Sequence, residues 1–325
     1  MHRHAFLIAV AVTPALPAPG HAQDGRIVEA RPFTADDSLV ARLRLASGAG
    51  KAAVERVEMR EITYLSDGLR VKGFVLTPRG GTRLPVIVFN RGGCKNFGAL
   101  TKPAVAEWLA PFADWGYVVV ASQYRGNGGS EGKDEFGGRD VNDILNLLRA
   151  VDSLPRADAT RIGIWSESRG GLMTYLVLAR TDRIRAAVIS SAPTDLSTIA
   201  PYRKAIRPAD DFEEFCLRDA IPSYDRDKAR ELVARSAIRW AEQLSKTTPI
   251  LLFQGTADWR SDPQQTLDMA QALLKLRRPY RLVVFEGGSH ELSEHWEEVL
   301  RISKAWLDRY VRDRQPWPSL EPHGW

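Results

Sequence analysis

Residues 163–171 read GIWSESRGG, placing two serines, Ser166 and Ser168, between an apolar run and a pair of glycines. A serine held on a sharp strand-to-helix turn exposes its hydroxyl for attack on a carbonyl, which is acyl-transfer chemistry. The pattern of such turns is G-x-S-x-G, and Ser168 fits it because Gly170 and Gly171 follow, where small residues let the helix start close to the turn. With Ser166 as nucleophile, the close-packing glycine would be replaced by Ser168. Ser166 therefore stands where the first glycine of the pattern is usual, and backbone strain or a small shift is expected there. The plainer alternative is a strand-to-helix turn whose serines merely cap the helix.

A serine of this kind needs a base that is partly neutral near pH 7. The chain has six histidines, of which His2, His4 and His21 lie in the first 22 residues. His290, in FEGGSHEL after the last apolar run, is the expected general base, with His295 as the fallback and His323 in a Pro-rich tail. An acid should orient that ring from the end of another strand. Asp258, in FQGTADWRSDPQQ, is the candidate; Asp262 directly precedes Pro263 and reads as a helix N-cap, and Asp195 is an alternative acid. The oxyanion of an acyl-transfer intermediate needs two backbone N–H donors. Arg169, the residue after the nucleophile, and Gly93 in FNRGGCKNFG are expected to supply them, with Gly92 close behind. YRGNGGSEG at 124–132 lacks the lysine of a phosphate loop and the spacing of a dinucleotide fingerprint, and no His/Cys/carboxylate cluster has metal-ligand spacing, so no cofactor and no metal are expected.

These residues need a scaffold that delivers strand ends to one edge. From about residue 61, short β-branched runs alternate with amphipathic ones, which is the signature of an α/β fold with a mostly parallel central sheet and helices on both faces. EITYLSDGLRVKGFVL reads as a hairpin turning at Ser66-Asp67-Gly68. The runs at 84–90, 117–122, 161–165, 185–190, 249–254 and 280–285 are nearly all apolar and suit strands covered on both faces. DVNDILNLLRAVDSL sets Val141, Ile144, Leu145, Leu148 and Val151 at helical spacing. Residues 196–245 lack strand patterns and read as a small helical cap inserted over the ligand-binding edge; residues 23–60 read as a polar extension with one or two helices.

The 325 residues can bury an extensive core, and 44% hydrophobic with 26% charged residues is ordinary for a globular protein. His2-Arg3-His4, the apolar run Ala5–Val12 and small residues at Ala22 have the layout of a secretory signal peptide cut after residue 22, so an exported, periplasmic or secreted protein is expected, with no integral membrane segment after signal removal. Removing Arg3 with the signal takes the formal charge from +5 to +4. The basic residues are interspersed with acids, which excludes a nucleic-acid arm. Export would permit a disulfide between Cys94 and Cys216, and two free thiols are equally compatible with the sequence. The domain boundaries expected are signal 1–22, extension 23–60, catalytic domain 61–314 with the insertion 196–245, and tail 315–325.

The strings NRGG, YRGNGGSEG with FGGRDVNDILN, WSESRGG, QGTADWR and GGSHEL occur in one order over most of the chain. Over about 61–312 they resemble the catalytic α/β-hydrolase domain of the prolyl oligopeptidase family of serine peptidases. The resemblance implies Ser168 as nucleophile, Asp258 as acid and His290 as base. It departs at Ser166 and in residues 23–60, which are too short for the β-propeller that commonly precedes this domain. The expectation is a serine hydrolase acting on a small molecule or short peptide, foremost a peptidase. A carboxylesterase and a non-catalytic binding protein on the same fold stay open as alternatives.

Overall fold

The computed structural model describes residues 23–35 and 53–324. Residues 1–22, expected to be a signal peptide, lie outside the described residues. The expected hairpin forms from β2 (Val57–Ser66) and β3 (Leu69–Pro78), in full antiparallel register from Val57 opposite Pro78 to Ser66 opposite Leu69. Its two turn residues, Asp67 and Gly68, both have positive φ, the geometry a two-residue turn needs to match strand twist. The other predicted runs become β4 (Leu84–Asn90), β5 (Val118–Ser122), β6 (Ala157–Glu167), β7 (Ile184–Ser190), β8 (Ile250–Gly255) and β9 (Tyr280–Phe285).

The extension departs from expectation. Residues Ile27–Phe33 form a strand, β1, antiparallel to β2, and in the described part of 23–60 only 53–56 are helical. As an edge strand, β1 buries little, so IVEARPF carries no apolar alternation, and Pro32 is tolerated because only one side of an edge strand pairs. The nine strands run in the order β1-β2-β3-β5-β4-β6-β7-β8-β9. β1, β2, β3 and β5 pair antiparallel, and all pairs from β5 through β4 to β9 are parallel.

Period-two alternation divides the core in two. Val86, Val88, Ile162, Ile164, Ile250 and Leu252 face one helical layer, which includes α2 (Val141–Val151), α3 (Arg169–Leu178) and α6 (Pro263–Lys275). Ile87, Phe89, Trp165, Leu251 and Phe253 face the other, built from the helical segment 102–114 (α1) and α7 (Trp296–Leu307). Trp165 centres this second layer: its ring stacks on Phe89 at 5.2 Å and meets Trp296 edge-on, while Nε1 donates to Ser303 Oγ at 3.1 Å. That bond satisfies the one polar atom that burying the indole would strand.

Between β7 and β8 the chain is helical, with α4 (Leu196–Ile206), a π-helical turn at Glu213–Arg218 and α5 (Tyr224–Ala234). Strand β6 stops at Glu167 and α3 starts at Arg169, so Ser168 alone makes the reversal.

Candidate active site

Ser168 has φ 51° and ψ −127°, a conformation that costs a non-glycine residue energy and persists only when its surroundings impose it. The Ser168 N–H donates to the carbonyl of Ser190 on β7 at 2.9 Å, fixing one side. The other side is fixed by packing without side chains. A Cβ on Gly170 would fall 2.0 Å from the Asn90 carbonyl oxygen, and one on Gly171 would fall 2.3 Å from Ala192 Cβ. Both positions must be glycine for α3 to lie this close to β4 and β7. The strain expected at Ser166 is located at Ser168 instead. Ser166 is a buried strand residue without positive φ, and its hydroxyl donates to the Val188 carbonyl at 2.9 Å, which explains why serine is accommodated there.

The loops after β8 and β9 bring Asp258 and His290 together. His290 Nδ1 lies 2.9 and 2.8 Å from the two Asp258 carboxylate oxygens, and both residues are buried. The carboxylate is held in turn: Oδ1 accepts from the Arg260 and Ser261 N–H groups at 2.8 and 3.0 Å, and Oδ2 accepts from Gln254 Nε2 at 3.2 Å. Such bonds orient the acid before it orients the ring. Ser168 and His290 line one cavity of about 560 Å³, together with Gly92, Gly93, Glu167 and Arg169.

The remaining candidates fall elsewhere. His295 stacks on Phe285 at 4.7 Å and does not line the cavity, and His323 is exposed in the tail. Asp262 caps α6, accepting from the Gln264 N–H at 2.9 Å, and Asp195 caps α4 in the same way through Ser197 while pairing with Arg239. Among the described residues no cluster of three His, Cys, Asp or Glu side chains could hold a metal.

The Gly92–Gly93 loop runs beside the serine, since a Cβ on Gly92 would lie 3.2 Å from Ser168 Cβ. Gly93 has φ 76°, and a Cβ there would meet the Phe97 carbonyl oxygen at 2.1 Å, so the tight loop needs glycine. Sequence reasoning missed what supports this loop. Arg91 is buried and donates to the carbonyls of Gly92 (2.9 Å) and Gln123 (2.8 Å), and burial together with the nearby Arg169 lowers its pKa to about 10. The Arg169 side chain is equally buried, clamped by Asp134 at 2.5 and 2.7 Å and by Asp140 at 2.6 Å. Burial opposes charge on Asp134, yet Arg169 outweighs it and holds that carboxyl well below its ordinary range. Both guanidinium groups lie over the Tyr124 ring, at 5.0 and 5.1 Å from its centroid. The only sequence signal for this network was charge set among apolar and glycine-rich residues.

Cys94, next to Gly93, forms a disulfide with Cys216 in the inserted π-helical turn, with Cα atoms 5.7 Å apart. The insertion thus roofs the cavity through Ile199, Phe212 and Phe215 and is bonded to its floor.

The sequence model of the prolyl oligopeptidase family matches residues 103–314, nearly two thirds of the chain. The chain belongs to the prolyl oligopeptidase family. It is 27% identical over 238 residues to the uncharacterized peptidase YtmA of Bacillus subtilis, covering 73% of this chain and 87% of that protein. It is 25% identical over 247 residues to the acylamino-acid-releasing enzyme of Sus scrofa, covering 70% of this chain and 32% of the enzyme. The Mycobacterium tuberculosis puromycin-hydrolyzing peptidase superposes with a TM-score of 0.64 at 25% identity, over 80% of this chain and 40% of that one. The chain therefore spans most of one relative and about a third to two fifths of the other two. As a member of this family it is a serine peptidase with the α/β-hydrolase fold. No helix among the described residues is long and apolar enough to cross a membrane.

Proposed function

We propose that the protein hydrolyses amide bonds of short peptides outside the cytoplasm, with Ser168, His290 and Asp258 as its catalytic groups. The observation that carries this assignment is the His290–Asp258 contact opening into the same cavity as a serine held at φ 51°. In the proposed reaction His290 takes the Ser168 proton as Oγ bonds to the scissile carbonyl carbon. The Arg169 and Gly93 amides stabilise the oxyanion, each contributing about 3 kcal/mol. Return of the proton to the leaving amine breaks the C–N bond, and water, deprotonated by the same histidine, releases the acyl group from Ser168.

The roof of the insertion supports a restriction to short chains, because a cavity of about 560 Å³ takes a few residues of an extended peptide and no folded domain. Phe97, Trp108 and Phe215 are large, more than two-fifths exposed and part of the same lining, which suits apolar substrate side chains. The Cys94–Cys216 bond and the signal-like N-terminus support an oxidising compartment.

A fluorophosphonate probe tests the assignment. Labelling is expected in the parent and in Ser166→Ala and absent in Ser168→Ala; the reverse pattern would overturn the choice of nucleophile. Aminoacyl anilides compared with short-chain aryl esters then test the substrate class, and ester turnover without any amide turnover would replace the peptidase by a carboxylesterase.

A further inference from the structure

Glu167 has no place in the chemistry described so far. It is the last residue of β6, it is partly buried, and it lines the cavity with Ser168 and His290. No hydrogen bond or ion pair joins its carboxylate to another described residue. The basic groups that act on it are engaged elsewhere: Arg260 with Glu291 at 2.6 Å, and the His290 ring with Asp258. Burial raises the Glu167 pKa, with His290 pulling it back. A partly buried carboxylate that lines a cavity without a protein partner is open to pairing with a cation that enters it.

Its position says what would arrive. The point where a Cβ of Gly92 would stand is 3.5 Å from Glu167 Oε1 and 3.2 Å from Ser168 Cβ, so carboxylate and nucleophile flank one spot. In an amino-acyl substrate the α-nitrogen is two bonds, about 2.5 Å, from the attacked carbon. A free α-ammonium therefore falls within reach of Glu167 when its carbonyl sits at Ser168, and a charge-assisted hydrogen bond forms.

Resting on the peptidase assignment, we infer that Glu167 is the recognition group for a free α-ammonium on the residue whose carbonyl is attacked. The protein then removes single residues from unblocked N-termini and discriminates against acylated ones.

Matched substrates test this: alanyl and N-acetylalanyl p-nitroanilides, and the corresponding aryl esters, with the parent, Glu167→Gln and Glu167→Asp. The parent is expected to favour the free amine by about tenfold or more in kcat/KM. In Glu167→Gln that ratio is expected to collapse toward one, chiefly through KM of the free-amine substrate, and Glu167→Asp to restore part of it. A parent preference for the acetylated substrate overturns the inference. So does an equal loss on both substrates, which would mean that Glu167 acts through His290, or a loss of stability at unchanged ratio, which would mean a structural role. Fluorophosphonate labelling, which involves no amine, reports whether each variant is folded and carries a competent serine. If anilides are not cleaved, the peptidase assignment fails, and the ester pair still decides the role of Glu167.

Discussion

At the scale of single residues, the site is a hierarchy of constraints ending on two atoms, Ser168 Oγ and the far nitrogen of His290. Asp258 is fixed by two amides and Gln254 and in turn fixes the tautomer of His290. Asp258→Asn keeps the shape and removes the acceptor pair, so kcat/KM is expected to fall about a thousandfold or more while thermal unfolding changes little; activity within tenfold of the parent would remove Asp258 from the mechanism. Arg169 works at both of its ends. Its N–H is assigned to the oxyanion, while its side chain is anchored to Asp134 and Asp140, so the donor is aimed before substrate arrives.

Among the elements, the β6–α3 junction decides the geometry. Gly170→Ala would drive a methyl into the Asn90 carbonyl, 2.0 Å away, and separate α3 from β4. Backbone cannot yield as a flexible side chain does, so a loss of about 3 kcal/mol or more is expected, read as a fall in Tm with loss of fluorophosphonate labelling. An unaltered Tm would show that the helix does not need this approach. This junction was legible in the sequence, because its glycines and alternating apolar runs are local signals. The parallel strands were legible for the same reason, being buried on both faces, and so was the cap at Asp262, whereas Asp195, expected as an alternative acid, caps α4 instead. β1 was not, since an edge strand such as IVEARPF keeps Glu29, Arg31 and Pro32 in a half-solvated row. Nor were Arg91, the Asp134–Arg169–Asp140 cluster or the isolation of Glu167, because each depends on which distant loops meet, and sequence spacing does not encode that.

For the whole molecule, the sheet supplies a rigid edge and the insertion supplies enclosure. The Cys94–Cys216 bond spans 122 residues and joins the two. Cross-links that close long loops chiefly limit the unfolded chain, so Cys94→Ser with Cys216→Ser is expected to lose about 2 to 5 kcal/mol, measured by denaturant unfolding; an unchanged midpoint would mean the bond contributes nothing to stability. The same bond has a second consequence. A roof tied beside Gly93 cannot swing open without dragging the loop assigned to the oxyanion, so in the oxidised protein wide opening and a competent site exclude one another. The entrance then acts as a fixed gauge. On the proposed peptidase reading, substrates are then expected to be sorted by cross-section before any chemistry begins, with Phe215 among the side chains that set the gauge.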